Sequence, residues 1–502
     1  MNKRLVLHLI FAFPLLVGIS LLISAFVGLL MSDPIRDILS LSLCGTVIML
    51  LSLTGLILTR PRNEQERKCG FREAFAIVAA GWIAAPLAGA AAFIVTGGFP
   101  VCDAIFESTS GFSTTGATII EPGMSLYGGR TLPNGIESLC SGLLFFRSFS
   151  HWLGGMGIVV LTIAILPLFN ISGQGLFNAE STGLKSTDSK IAPRIASSAK
   201  ILWCVYVILT GLETVLLWLG GMTFFDAVCH SFSTIATGGF SNKTASIGAY
   251  HSAYIETVVA VFMFLAGCNF MLHIRFAQSR RLLAYTRDEE FRFYAILAAV
   301  ASCVVALNLF LANAPPAEAF RAAVFHVLSI LTTTGFATEN YAVWPLPCCA
   351  ILFILMFTGS CGGSTAGGMK CCRVVLVAKH SFSELRRCIF PHLVPDIRLN
   401  GERIETPVIQ KAAGFLALYF SLSLLFALFA ALLSPNMDLL TALSASLACI
   451  SNIGPGFGMV GPAETCAWMM PAAKLLLSFE MILGRLELFT VLVLFLPSFW
   501  KK

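Results

Sequence analysis

Charge is scarce in this sequence. Only 12% of its 502 residues are Asp, Glu, Lys or Arg, about half the ~25% of an ordinary soluble domain. With 57% hydrophobic residues and a mean hydropathy of +0.83, that shortage excludes a water-soluble globular domain. Clusters that support chemistry are also missing. The 16 Cys fall mostly inside apolar runs (Cys44, Cys204, Cys303, Cys449), and the pairs Cys348-Cys349 and Cys371-Cys372 lack C-x-x-C spacing. Buried free Cys acts as a small hydrophobe, so neither a metal cluster nor a disulfide framework is expected. The eight His are scattered, which argues against a membrane-embedded enzyme. No Walker A sequence occurs, so ATP hydrolysis is not expected. Gly456–Gly461 matches G-x-G-x-x-G but neither follows a strand nor opens a βαβ unit. No cofactor is expected in the chain. A formal charge of +6 spread over 502 residues gives no nucleic-acid signal.

Apolar runs take the place of these features. Leu5–Met31 is too long for a signal-peptide core and shows no cleavage site, so it reads as a retained first span. Stretches long enough to cross about 30 Å of hydrocarbon fall near 5–31, 38–59, 74–97, 137–169, 201–225, 254–274, 293–314, 347–378, 408–433 and 470–496. The expected fold is therefore an all-α polytopic membrane protein with ten transmembrane helices. Most of the 33 Lys and Arg gather in the termini and in loops 60–72, 170–200, 275–292 and 370–411. By the positive-inside rule these are cytoplasmic, as are both termini.

Shorter apolar pieces lie between spans three and four, five and six, seven and eight, and nine and ten. Each ends in a Gly-centred turn, the pattern of a re-entrant segment. The turns are Thr114-Thr115-Gly116, Ala236-Thr237-Gly238, Thr333-Thr334-Gly335 and Asn452-Ile453-Gly454. Aligned on Gly116, Gly238, Gly335 and Gly454, they define four pseudo-repeats of helix, re-entrant helix, turn and helix. The expected layout is a two-helix addition (1–72) and repeats at 73–200, 201–288, 289–405 and 406–502. All four turns then face outward. A permeating cation must exchange its water shell for other oxygens, and backbone carbonyls supply them without a fixed charge. Gly permits the backbone angles this needs, and each short helix points its partly negative C-terminus at the site. The twelve turn residues are therefore candidate ion ligands.

Span eight carries Gly359, Gly362, Gly363, Ser364, Thr365, Gly367 and Gly368 before Lys370. Gly costs a helix about 1 kcal/mol relative to Ala, so this stretch should unwind. Unwound backbone at membrane depth must line a cavity or be buried in protein. A gate across the pore and a close helix-packing motif both fit. Lys370 either closes the loop or snorkels to the interface. Arg485 lies in the last span, where a charge is costly and usually functional. It reads as a barrier to cations, an anchor for the loop carbonyls, or a partner for Glu480 or Glu487. Arg147 has Glu107 or Glu137 as partner, and Lys474 is expected to snorkel outward. Segments 177–200 and 379–405 read as docking surfaces or as solvated basic loops.

These motifs, with His151–Gly157, Gly362–Lys370 and Gly484-Arg485-Leu486-Glu487, resemble the Trk/Ktr/HKT superfamily of potassium transporters, most closely the membrane subunit of the bacterial Trk system. The resemblance covers nearly the whole chain. It implies four non-identical units around one pore, K+ bound at the turns, and an intramembrane loop at 359–368 that obstructs conduction. It also implies a homodimer in the bacterial inner membrane, in contact with lipid, on a cytoplasmic regulatory subunit that binds NAD or ATP. A Ser at the first turn accompanies sodium transport in some plant members, and Gly116 stands there. The fourth turn, with Ile453 and Pro455, lacks a hydroxyl before its glycine.

Overall fold

The computed structural model describes residues 2–63, 66, 70–157, 195–392 and 396–500. The last third of the fourth expected span (158–169) and most of the 177–200 docking segment lie outside the described residues. Its regular structure is helical apart from two small hairpins, Met124–Ser125 with Thr131–Leu132 and Arg398–Leu399 with Glu402–Arg403. The helices used below are α1 (Lys3–Ile10), α2 (Ala12–Leu30), α3 (Ile35–Thr59), α4 (Phe71–Ala92), α5 (Val101–Phe112), α6 (Ser141–Trp152), α7 (Ile195–Leu219), α8 (Phe224–Ile235) and α9 (Ala253–Ala266). They continue with α10 (Phe270–Ser279), α11 (Glu289–Leu311), α12 (Pro316–Leu331), α13 (Leu346–Thr358), α14 (Cys371–Ile389), α15 (Thr406–Leu433), α16 (Leu439–Ile450) and α17 (Pro471–Arg485).

Among the described residues, six helices are long and apolar enough to cross a membrane, or seven if one bent pair counts as a single span. The remaining expected spans are broken or only partly described. Stretch 254–274 bends by 96° between α9 and α10. The Asn269 side chain accepts from the Met271 N–H and starts a new helix there. Stretch 347–378 is two helices separated by the Gly-rich loop. Stretch 470–496 stops at Arg485, and Glu487 and Leu488 take left-handed φ values of 55° and 51°. In the fourth stretch, α6 passes into a π-helical turn at Leu153–Gly157. The helices that follow the second, third and fourth Gly-centred turns are thus interrupted, at Gly267-Cys268, Gly359-Ser360 and Leu486–Leu488, and the one after the first changes to π-helical geometry at Leu153.

The N-terminal helices form a hairpin, α2 against α3, that lies on α4 and α6. Gly18 and Gly45 face each other across it, and a Cβ on either would come within 2.9 Å of the other's carbonyl oxygen. Small residues of this kind allow close helix approach where lipid supplies no hydrophobic drive. The four short helices pack in a cycle. Helix α8 lies on α6, α12 on α9, α16 on α13, and α5 closes the circle on α17. Chain ends far apart in sequence therefore meet. Lys474 of α17 pairs with Asp103 of α5 at 2.7 Å, 371 positions away.

Candidate functional site

The four short helices end in one backbone pattern. In each, the second residue past the helix is left-handed: Thr114 (φ 54°), Thr237 (53°), Thr333 (56°) and Asn452 (56°). Its N–H donates three residues back, to Gly111, Thr234, Ile330 or Cys449. The next N–H donates five back, to Ser110, Ser233, Ser329 or Ala448. This paired arrangement is a helix terminator that usually places Gly at the left-handed position. A β-branched Thr there is strained, and such strain gathers at functional sites. Two residues on, Gly116, Gly239, Gly335 and Gly454 are left-handed, at φ 83°, 79°, 82° and 97°.

This pattern corrects the second turn. Its equivalent residues are Thr237-Gly238-Gly239, one position later than Ala236-Thr237-Gly238. Ala236 is the helical C-cap, at φ −75°. With two glycines in succession, the sequence allowed either alignment. Twelve residues before the corrected glycines stand Ala104, Ala227, Ala323 and Ala442, all buried. That repeated Ala was the signal that fixes the register.

The four left-handed glycines close a ring. A Cβ on Gly116 would strike the Gly238 carbonyl oxygen, one on Gly239 that of Thr334, one on Gly335 that of Ile453, and one on Gly454 that of Thr115. Each corner rests on the middle carbonyl of the next, and the fourth returns to the first. Gly238 has a second neighbour, the His151 ring, which fills the space that a side chain on Gly238 would need. That ring stacks on Phe240 at 4.1 Å. The second corner therefore borrows its side-chain bulk from α6.

Polar residues of the short helices clamp the strands that leave the turns. Glu107, His230 and His326 each lie seven residues before the left-handed residue. Glu107 accepts from the Thr118 hydroxyl (3.0 Å) and the Ile119 N–H (3.1 Å). His230 Nε2 bonds the Ser241 hydroxyl at 2.9 Å, and His326 Nε2 accepts from the Thr338 N–H at 3.4 Å. Ala445 holds this position in the fourth corner, and Ser444 beside it bonds Phe457 instead. His230 and His326 looked scattered in the sequence because their equivalence appears only in the corrected alignment. Glu107 also holds the buried Arg147 (2.6 Å), which donates to the Ser241 carbonyl and lies over the Phe240 ring. Of the two candidate partners, Glu107 is therefore the one in place, and Glu137 binds the Thr244 hydroxyl. Lys474 does not reach outward. It is 4% exposed and held by Asp103 and the Ala467 carbonyl.

The Gly-rich loop sits against the ring. The Gly367 N–H donates to the Thr333 hydroxyl at 2.7 Å, and the Thr365 hydroxyl to the Ile235 carbonyl at 2.9 Å. A Cβ on Gly367 would strike the Ser451 carbonyl. Arg485 donates to the carbonyls of Thr365, Gly154 and Gly155, each at 2.7 Å. Of its three readings, this geometry is that of the loop anchor. Lys370 is buried, with its ammonium on the Ala366 carbonyl, so it closes the loop and does not snorkel. The structure thus brings together the corrected turn residues, Gly367, Thr365 and Arg485. Gly359, Gly362, Gly363, Ser364 and Gly368 form the two limbs of the same loop, with Gly359 and Gly368 in contact. The Thr114 hydroxyl and the Asn452 Oδ1 are buried without a hydrogen-bond partner among the described residues.

Membrane-length helices around a ring of four backbone turns, backed by a loop and an arginine, are the frame of a membrane transport protein. The chain belongs to the TrkH family: the family model described as TrkH, cation transport protein, matches residues 44–502. The Trk system potassium uptake protein TrkH of Salmonella typhimurium is 39% identical over 456 residues, 89% of this chain and 90% of that protein. The Trk system potassium uptake protein TrkG of Escherichia coli is 32% identical, with 86% of each chain covered. The crystal structure of the potassium transporter TrkH from Vibrio parahaemolyticus superposes with a TM-score of 0.85 at 35% identity, covering 100% of both chains.

Proposed function

We propose that the chain takes up potassium across the bacterial cytoplasmic membrane through the ring of four turns. The observation that carries this reading is the closed contact of Gly116, Gly239, Gly335 and Gly454 with the carbonyls of their neighbours. Backbone oxygens, which carry no fixed charge, suit a monovalent cation that must also leave. The filter comprises Thr114, Thr115, Gly116, Thr237, Gly238, Gly239, Thr333, Thr334, Gly335, Asn452, Ile453 and Gly454. The free oxygens of Thr114 and Asn452 support an ion path there. Loop 359–370 lies across the inner side as the gate, tied to the filter at Thr333 and to Arg485.

Ten spans, arranged as two added helices and four units at 73–200, 201–288, 289–405 and 406–502, fit this reading. Both termini are then cytoplasmic and the turns face outward. Inward movement of each K+ gains about 2.3 kcal/mol per 100 mV of membrane potential. The relatives' naming as Trk system proteins supports work alongside other Trk components, and in this reading the chain acts as a homodimer with a cytoplasmic NAD- or ATP-binding regulatory subunit.

Growth of a potassium-uptake-deficient bacterium at low potassium tests the reading. The unaltered chain, expressed with its regulatory partner, restores growth. Gly116→Ser, whose Cβ presses on the Gly238 carbonyl, restores it poorly and admits more Na+ in competition flux. Failure of the well-expressed unaltered chain overturns the reading, and Na+ uptake in preference to K+ turns it into a sodium-selective member.

A further inference from the structure

We propose that Glu290 is the latch of the Gly-rich loop, a positioning residue that holds both limbs where they leave the membrane-spanning helices. Glu290 lies in the first turn of α11 and is 8% exposed. One carboxylate oxygen accepts from the Gly362 N–H at 2.6 Å and from the Cys372 N–H at 3.0 Å. These amides belong to opposite ends of the loop. Cys372 is the second residue of α14, where N–H groups have no partner within the helix. A carboxylate is favoured there by the helix dipole and by charge-assisted hydrogen bonds. The neighbouring acids are engaged elsewhere. Asp288 caps Phe291 and binds Asn400, and Glu289 pairs with Lys379.

The loop is thus held by one basic and one acidic side chain. Arg485 takes the carbonyl of Thr365 at the tip, and Glu290 takes the amides at the base. The other ties at the base are uncharged: backbone bonds from Cys361 N–H to Gly267, Phe270 N–H to Gly363 and Cys371 N–H to Ser360, a thiol contact from Cys371 to the Gly359 carbonyl, and the Ser364 hydroxyl on the Cys361 carbonyl. Neutral bonds of this kind make a shallow restraint for a glycine-rich segment, whose unfolded conformers are numerous. Removing the carboxylate frees both limbs together.

This inference rests on the gate reading, and two separate readouts distinguish them. Cys361 and Cys371 flank the loop base and are fully buried, as is the distant Cys348. The full-length protein in liposomes is treated with N-ethylmaleimide, and alkylation is mapped residue by residue while rubidium flux is followed in parallel. Loss of two charge-assisted bonds in Glu290→Ala raises alkylation at Cys361 and Cys371 about tenfold or more, with Cys348 unchanged. Glu290→Gln keeps an acceptor oxygen without the charge and gives an intermediate rise of about threefold. If Cys348 also reacts in the Ala variant, the fold is lost and the Gln variant decides. No rise at Cys361 and Cys371 in a folded variant overturns the latch. A rise without added rubidium flux leaves the latch standing and removes the gate.

Discussion

The register of the second corner can be tested by two adjacent glycines that the sequence does not tell apart. Gly239 is left-handed at φ 79°, and a Cβ on it would meet the Thr334 carbonyl. An L-residue in this conformation costs roughly 1–2 kcal/mol, and forcing bulk into a packed site adds about 1–3 kcal/mol. The obstacle at Gly239 is backbone, so relief comes only by displacing a ring carbonyl. Gly238 lacks the left-handed φ, and its obstacle is the His151 side chain. Gly238→Ala therefore meets only the packing cost, and His151→Ala in the same chain removes it. Rubidium uptake at matched expression separates the two. Gly239→Ala loses at least about tenfold, since each 1.4 kcal/mol is a factor of ten, and is not restored by His151→Ala. Gly238→Ala loses activity and recovers it with His151→Ala. A tolerated Gly239→Ala together with an unrescued Gly238→Ala refutes the corrected register.

Two other perturbations follow from the same contacts. Arg147→Met leaves Glu107 as a buried uncompensated carboxylate and costs about 3–5 kcal/mol. The expected outcome is a large fall in the thermal midpoint read by fluorescence-detected size exclusion, partly recovered by adding Glu107→Gln. Arg485→Ala removes three hydrogen bonds to carbonyls, including the one to Thr365. Rubidium leak should rise without loss of expression, as should leak after shortening 361–367, and unchanged flux in both counts against the loop as gate.

Much of this architecture was legible in the sequence. Charge scarcity and apolar runs indicated a membrane protein, and the Gly-rich stretch marked its own break. The interruptions at Gly267 and Leu488 were hidden, because one or two small or polar residues in an apolar window do not disturb its hydropathy. The position of Lys474 was hidden for another reason. Its partner Asp103 is 371 residues away, and only ring closure brings them together. His230 and His326 required the helix positions to be matched across units. The second turn was misaligned by one residue because consecutive glycines leave the side-chain pattern ambiguous, whereas backbone φ does not.

The ring contacts have a consequence for how such a site changes over generations. Were the corners four copies of one subunit, every substitution would occur four times at once, and a tolerable defect would become a fourfold one. Here one chain writes each corner separately. The second can give up a side chain at Gly238 because His151 stands beside it, the third carries the Gly-rich loop, and the fourth supplies Arg485. Divided labour within a closed circle is possible because each quarter is encoded once, yet no quarter moves without pressing on the next.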